Sequence, residues 1–312
     1  MKITNHNNLP APIYNAIIAN PYSRGTANIS VTDLIEPPQL VALRDSHLDD
    51  IESDASSLVW SLMGQAMHTI LERSGIQSGK GETEQRLYMK VEGWDVSGQF
   101  DYIDENNVLW DWKFVSTYEY MNGIKTSREK QLNMYAALAR ANGYTVEGLR
   151  VGFLFRDWSV YSVSKQPGYP RAQAVEVPIP MWPEEVATQF LKDRVRAHQK
   201  AQKAHAKGKA VVECTPEERW QTADSYAVYK NNNKNATRVL ATISEAENFV
   251  RGASSKTDDN GKISSNRYRI QYRPGASVRC ERYCPVLDWC EQGKKYVKTN
   301  RREEHEVGSD GA

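Results

Sequence analysis

Cysteine is missing from the first 213 residues of this chain, and all four of its cysteines, Cys214, Cys280, Cys284 and Cys290, fall in the last hundred. Also missing is the basic-then-apolar layout of an export signal, because the opening MKITNHNNLPAPIY is polar. The expected setting is therefore cytoplasmic. There, disulfides explain clustered thiols poorly and metal binding explains them better. No apolar run approaches the roughly 20 residues that span a bilayer, so no membrane partner is expected. A net charge of +1 gives no global basic field, and a polyanionic partner would have to be met by local patches. Repeats and long low-complexity tracts are absent too. What remains is 312 residues at 40% hydrophobic content, enough to bury a full core in one large domain or two modest ones.

The pattern along the chain predicts alternating element types. Ser30 to Ile35, followed by Pro37-Pro38, reads as a short N-terminal element. Asp54 is a good N-cap for a helix running to about Ser74, with Gly75 as its stop. An antiparallel meander is expected over 84–91, 94–103 and 109–115, with the polar tip Asp104-Glu105-Asn106-Asn107 between the last two strands. Thr126-Ser127-Arg128-Glu129 has the form of a capping box for a helix ending near Asn142-Gly143. Residues 149–156 read as a buried strand, with 159–164 as its hairpin partner, and Pro183-Glu184-Glu185 opens a long helix that turns basic. A second capping box, Thr215-Pro216-Glu217-Glu218, follows Cys214, residues 251–266 look like a mobile loop, and the charged tail beyond about Thr299 reads as disordered.

The informative stretch is Gly98-Gln99-Phe100-Asp101, then nine residues, then Asp111-Trp112-Lys113. Strand side chains alternate, so Asp111 and Lys113 share a face. If 103 and 109 close the hairpin, Asp101 opposes Asp111 and joins that face; a loop one residue shorter would separate them. Two carboxylates at one point are hard ligands for Mg²⁺ or Mn²⁺, which lowers the pKa of bound water and stabilises charge on a phosphoryl group. A lysine beside them can orient the attacking water and neutralise developing charge. An isolated D-x-K is usually a solvated strand face, but here Trp110, Trp112 and Phe114 make the strand too apolar for that. Gly64, His68 and Glu72 fall on one helix face, where the glycine would allow close backbone approach and Glu72 could orient the imidazole. Gln131 and Tyr135 share another helix face, at spacing that also suits an ordinary surface glutamine and half-buried tyrosine.

Taken in order, Gly64…His68, Gly98…Asp101, Asp111…Lys113 and Gln131…Tyr135 resemble the motifs of the RecB-like branch of the PD-(D/E)xK nucleases over about residues 28–160. The resemblance implies an α/β fold with a restriction-endonuclease-like core, a mixed central sheet flanked by helices. It also implies a metal-dependent deoxyribonuclease, an exonuclease acting on single-stranded DNA or duplex ends in phage-type replication, recombination or processing alongside proteins of those pathways. By the same resemblance His68, Asp101, Asp111 and the Trp112 carbonyl are metal ligands, Lys113 is the catalytic lysine, and Gln131 and Tyr135 contact the DNA backbone. Several members of that branch carry a four-cysteine iron–sulfur cluster, and Cys280-x3-Cys284-x5-Cys290 with remote Cys214 is similar to it. The lone cysteine here follows the core instead of preceding it, and the first short spacing is three rather than two. A [4Fe–4S] cluster, a zinc ion and free thiols therefore all stand. A helix capped at Thr215 would place Cys214 at its positive end and favour a thiolate.

The expected organisation is a nuclease core over 1–210, a cysteine-stapled region over 211–298 and a tail over 299–312. Two basic groups could meet DNA: 192–209, with seven Lys/Arg against one Asp, and Arg267, Arg269, Arg273, Arg279 and Arg282 interleaved with Tyr268, Tyr272 and Tyr283. An inactive DNA-binding protein on the same fold, or a module whose structural metal is its functional part, are the competing expectations.

Overall fold

The computed structural model describes residues 1–19, 24–78, 81–83, 85–209, 212–254 and 267–297. The chain is mixed α/β with several sheets, divided into the units Met1–Val212 and Glu213–Ala312. None of its described helices is long and apolar enough to cross a membrane.

The first unit is built on a five-stranded sheet, ordered Ala174–Ile179, Gly148–Phe155, Val108–Val115, Tyr102–Ile103, Glu82–Thr83. The pair Val108–Val115 and Gly148–Phe155 is parallel and the other pairings are antiparallel. A parallel pair needs a crossover, and the helix Thr126–Ala141 lies in it. Every residue from Gln131 to Ala139 is buried, because this helix packs both on the sheet and on the helix Glu184–Ala206. Phe100, Leu109, Leu132, Met134, Leu138, Val151, Phe153 and Leu191 form the centre of the core. A second sheet joins Ile29–Ser30, Trp94–Gln99 and Arg86–Val91. Ser30 also caps the short helix Val31–Ile35, its hydroxyl accepting from Asp33 N.

Four local expectations are corrected. The meander strand over 94–103 is broken: Trp94–Gln99 belongs to the smaller sheet and Tyr102–Ile103 to the larger. Phe100 is driven into the core, and the Asp101 carboxylate takes the Trp112 N–H at 2.6 Å, so a side chain stands where a ladder carbonyl would. Asp54 does cap, accepting from Ser56 N, but it starts the 3₁₀ turn Ala55–Leu58, and the helix Val59–Ser78 then runs through Gly75. A Cβ at Gly75 would lie 2.7 Å from Thr83 Cγ2, so this glycine is there for close approach and does not end the helix. Residues 159–164 do not form a hairpin partner. Trp158 Nε1 donates to Pro170 O and Ser159 N to Tyr169 Oη, which pins the short helix Val160–Lys165 there, and the partner strand is Ala174–Ile179. The helix Thr126–Ala141 has Lys125 as N-cap with no side-chain cap bond, because Glu129 accepts instead from Trp182 Nε1.

In the second unit, Arg238–Leu240, Ser225–Lys230 and Tyr268–Arg273 make an antiparallel sheet against which the helix Ile243–Ser254 packs. A π-helical turn, Arg279–Tyr283, and a 3₁₀ turn, Leu287–Trp289, follow. The Thr215 capping box forms both reciprocal bonds, at 2.9 and 3.2 Å, yet it closes only a turn. Trp220 adopts a left-handed conformation (φ 54°) that ends it at once. Of the loop expected over 251–266, residues 251–254 complete a helix and the remainder lies outside the described residues, as does the expected tail.

Candidate active site

The register of the Asp101/Asp111 hairpin is set by one residue. Asp104 Oδ1 accepts from Asn106 N and Val108 N, both at 2.9 Å, and Oδ2 accepts from Trp110 Nε1 at 3.0 Å. Asn107 takes the positive φ (60°) that the turn requires, which asparagine tolerates. Ile103 then pairs with Leu109 and Tyr102 with Trp110, so that one step further back Asp101 stands opposite Asp111.

Asp111 is 2% exposed. Lys113 Nζ lies 2.6 Å from its Oδ2, an ion pair with the carboxylate side buried. Burial pushes the Asp111 carboxyl up; the Lys113 charge opposes this, the Asp101 charge adds to it, and the net shift is upward. Asp101 is used on both oxygens: Oδ2 by Trp112 N, and Oδ1 by His68 Nδ1 at 3.3 Å. Burial alone would lower the His68 pKa, but the hydrogen bond and charge of Asp101 outweigh it and the imidazole is raised above its ordinary value. The two carboxylates thus stand against a lysine and a histidine.

A cavity of about 660 Å³ opens beside this group, walled by Gly64 and His68 of the helix, by Arg86, Gln99 and Asp101, and by Lys113 and Tyr135. Asp111 is not in the wall. Arg86 and Gln99 are directly paired across the smaller sheet, and Arg86 Nη2 donates to Gln99 Oε1 at 2.9 Å, which sets a guanidinium in the wall against a neutral amide. The sequence reading missed this pair. Its signal was available, since Gln99 lies two residues before Asp101.

Other expected residues fall differently. A Cβ at Gly64 would meet nothing within 4 Å, so Gly64 borders open space and makes no close backbone approach. Asp101 takes His68 Nδ1, the place expected for Glu72. Gln131 and Tyr135 are buried, and Gln131 Nε2 donates to Tyr135 Oη at 3.1 Å, so the pair is internal and Tyr135 alone of the two reaches the cavity. Gly98 makes room for Tyr135: an added Cβ would stand 3.0 Å from two of its ring carbons and from Leu138 Cδ2.

None of the four cysteines is in a disulfide. Burial first, then the charges of Glu218 and of the other three cysteines, pushes Cys214 up to about 12. Burial, then Cys284 and Cys290, pushes Cys280 up to about 11. The expected thiolate-favouring helix end at Cys214 is absent, since only a turn follows it. What holds Cys214 is Gln292, whose side-chain amide accepts from Cys214 N at 2.8 Å and donates to Cys214 O at 2.9 Å.

Among the described residues, no three His, Cys, Asp or Glu side chains stand grouped as metal ligands. By donor type, His68, Asp101 and Asp111 suit a hard divalent cation, with Asp111 Oδ2 held now by Lys113. The four cysteines suit a thiophilic centre by donor type.

No protein-family model matches the chain, and no curated protein does. Among solved structures it is similar to the crystal structure of SSO0001, at 17% identity over 59% of this chain and 83% of that one, with a TM-score of 0.41. A likeness this faint identifies neither fold nor activity.

Proposed function

We propose that this chain is a Mg²⁺- or Mn²⁺-dependent deoxyribonuclease on a PD-(D/E)xK core of the RecB-like type, hydrolysing phosphodiester bonds from DNA ends. The observation that carries the reading is the meeting of Asp101, Asp111, Lys113 and His68 beside a 660 Å³ cavity, with the Asp111 carboxylate buried behind Lys113. Asp101, Asp111, His68 and the Trp112 carbonyl would hold the cation. When bound, the cation supplies Lewis acidity to a phosphoryl oxygen and acidity to its water. The chain's own groups do the rest. Lys113 holds a proton and a positive charge at Nζ, where a scissile phosphate would gain negative charge. Arg86 offers a planar donor pair to a phosphate oxygen in the cavity, and the Gln131–Tyr135 bond keeps the tyrosine ring in its wall. In the second unit, we read the four thiols as the ligands of a structural [4Fe–4S] cluster or, alternatively, zinc.

One observation favours a second reading. Lys113 against Asp111 and His68 against Asp101 occupy the carboxylate oxygens a metal would use, as expected of a DNA-binding protein that performs no hydrolysis. The test is cleavage of end-labelled linear DNA with Mg²⁺ or Mn²⁺, against a chelator control and the Lys113→Ala variant. Metal-dependent cleavage lost in Lys113→Ala supports the nuclease; DNA binding with no cleavage under either metal supports the alternative.

A further inference from the structure

The arginine-rich segment at the end of the chain has a geometry that its sequence pattern does not convey. In the strand Tyr268–Arg273, alternation sends Arg269, Gln271 and Arg273 to one face and Tyr268, Ile270 and Tyr272 to the other. The tyrosine face has its own partners: Tyr268 meets Phe249 of the Ile243–Ser254 helix edge-on at 6.4 Å, and Tyr272, though exposed, packs on Tyr226 and donates to Asp224 at 2.9 Å. The expected interleaving of arginines with base-stacking tyrosines is therefore not what one face offers.

The arginine face is different. Arg269 and Arg273 are exposed, yet they are held. Both converge on Tyr229 of the neighbouring strand, which is 5% exposed: the Arg269 guanidinium lies 3.9 Å from the ring centroid, and Arg273 Nη2 donates to the phenol oxygen at 2.6 Å. A buried tyrosine thus fixes two like charges near each other, and among the described residues neither is ion-paired to a carboxylate. Solvated surface arginines are normally mobile; ones held in place lose less freedom when they meet an anion. Arg267, also exposed, continues the same alternation one step before the strand. The row Arg267, Arg269, Gln271, Arg273 consists of hydrogen-bond donors, spaced about 6.7 Å apart along a straight path. The strand is at the sheet's edge, so the row has no further strand beside it in this sheet.

We propose that this row, in the second unit, is a phosphate track for single-stranded DNA. The charge selects a polyanion. The straightness selects a flexible single strand, because a duplex backbone winds away from a linear track after a few phosphates. The inference shares with the proposed function the premise that DNA is the partner, but it does not require hydrolysis.

The test is binding of a fluorescein-labelled oligothymidine by the full chain in chelator, read by anisotropy across a salt series, so that cleavage plays no part. Against the parent, Arg269→Ala/Arg273→Ala is expected to bind at least about tenfold more weakly, with the log–log salt slope shallower by about 1.4, the loss of two single-strand phosphate contacts. Arg269→Lys/Arg273→Lys keeps the charge and is expected to keep the parent's slope. An alanine pair that binds with the parent's affinity and slope overturns the proposal. So does a lysine pair that falls as far as the alanine pair, because that assigns the loss to packing on Tyr229. A hairpin duplex, or polyglutamate of equal charge, bound as tightly as the oligothymidine overturns it as well. If no protein in the series cleaves DNA in the separate nuclease assay, the binding result still stands or falls on its own.

Discussion

Asp111 illustrates how a single residue can oppose the fold that holds it. Its carboxyl is buried and its pKa is raised, so the folded state holds a proton there more readily than the unfolded chain does. The stability it contributes is present below the unfolded carboxyl pKa and is lost as pH rises through the folded value, leaving a net cost at neutral pH. Asp111→Asn removes that cost. The variant is expected to melt in chelator at the parent's temperature or above it while losing metal affinity and cleavage; a drop of several degrees would show that the Asp111–Lys113 pair holds the core together. The two acids and the lysine were readable from spacing alone, because a turn closed by Asp104 is local chemistry. That Asp101 would spend its oxygens on Trp112 N and His68 was not readable, since it depends on where a helix some thirty positions earlier docks.

The site helix and the crossover helix each contribute a glycine to the comparison of elements, one directly and one by contact. Gly64 lies mid-helix over open space, so Gly64→Ala is expected to stabilise by about 0.5–1 kcal/mol through helix propensity, and to weaken DNA binding if the cavity takes the backbone. Gly98 faces the crossover helix, and Gly98→Ala would press on Tyr135 and Leu138, costing about 1–3 kcal/mol. Urea titrations of both variants, paired with binding, check the opposed signs. On the helix Glu184–Ala206, two arginines of the basic run serve the fold. Arg194 donates to Leu34 O and Glu36 O at 2.7 Å each, holding the end of the Val31–Ile35 helix, and Arg196 pairs with Glu92. On the same helix, burial first and the neighbouring Arg194 charge second lower His198 to about 4. A depressed histidine contributes stability that is present above about pH 6.5 and is lost as pH falls towards 4, amounting to about 3 kcal/mol. Urea midpoints should fall over that window in the parent and less steeply in His198→Leu; parallel curves would clear His198 of the effect. Helix positions were legible here from periodicity, but the fate of residues 159–164 was not, because the bonds from Trp158 and Ser159 to the 169–170 loop outweigh any strand preference.

At the scale of the whole chain, the division into two units follows the cysteine boundary, with Cys214 near the start of the second unit and the other three near its described end. If the four thiols bind one centre, the metal contributes to the folding of that unit directly. Anaerobically purified protein is then expected to be brown with an iron–sulfur centre, or colourless with about one zinc per chain, and Cys284→Ser to lose the metal and soluble yield. A metal-free preparation whose Cys284→Ser variant melts like the parent leaves Gln292 as the tie on Cys214. The Asp104 turn has one more consequence, and it concerns the order of folding. Its bonds all lie within residues 104–110, and hairpins of this kind form in about 1–10 μs. The parallel pairing of Val108–Val115 with Gly148–Phe155 waits on the crossover helix and is slower. Asp101 and Asp111 are thus brought opposite each other while both are still hydrated, and water leaves them only when the later elements arrive. The electrostatic penalty of the site then weighs on the finished protein more than on the barrier to reaching it. Relieving it with Asp111→Asn should accordingly slow unfolding and leave the folding rate almost unchanged.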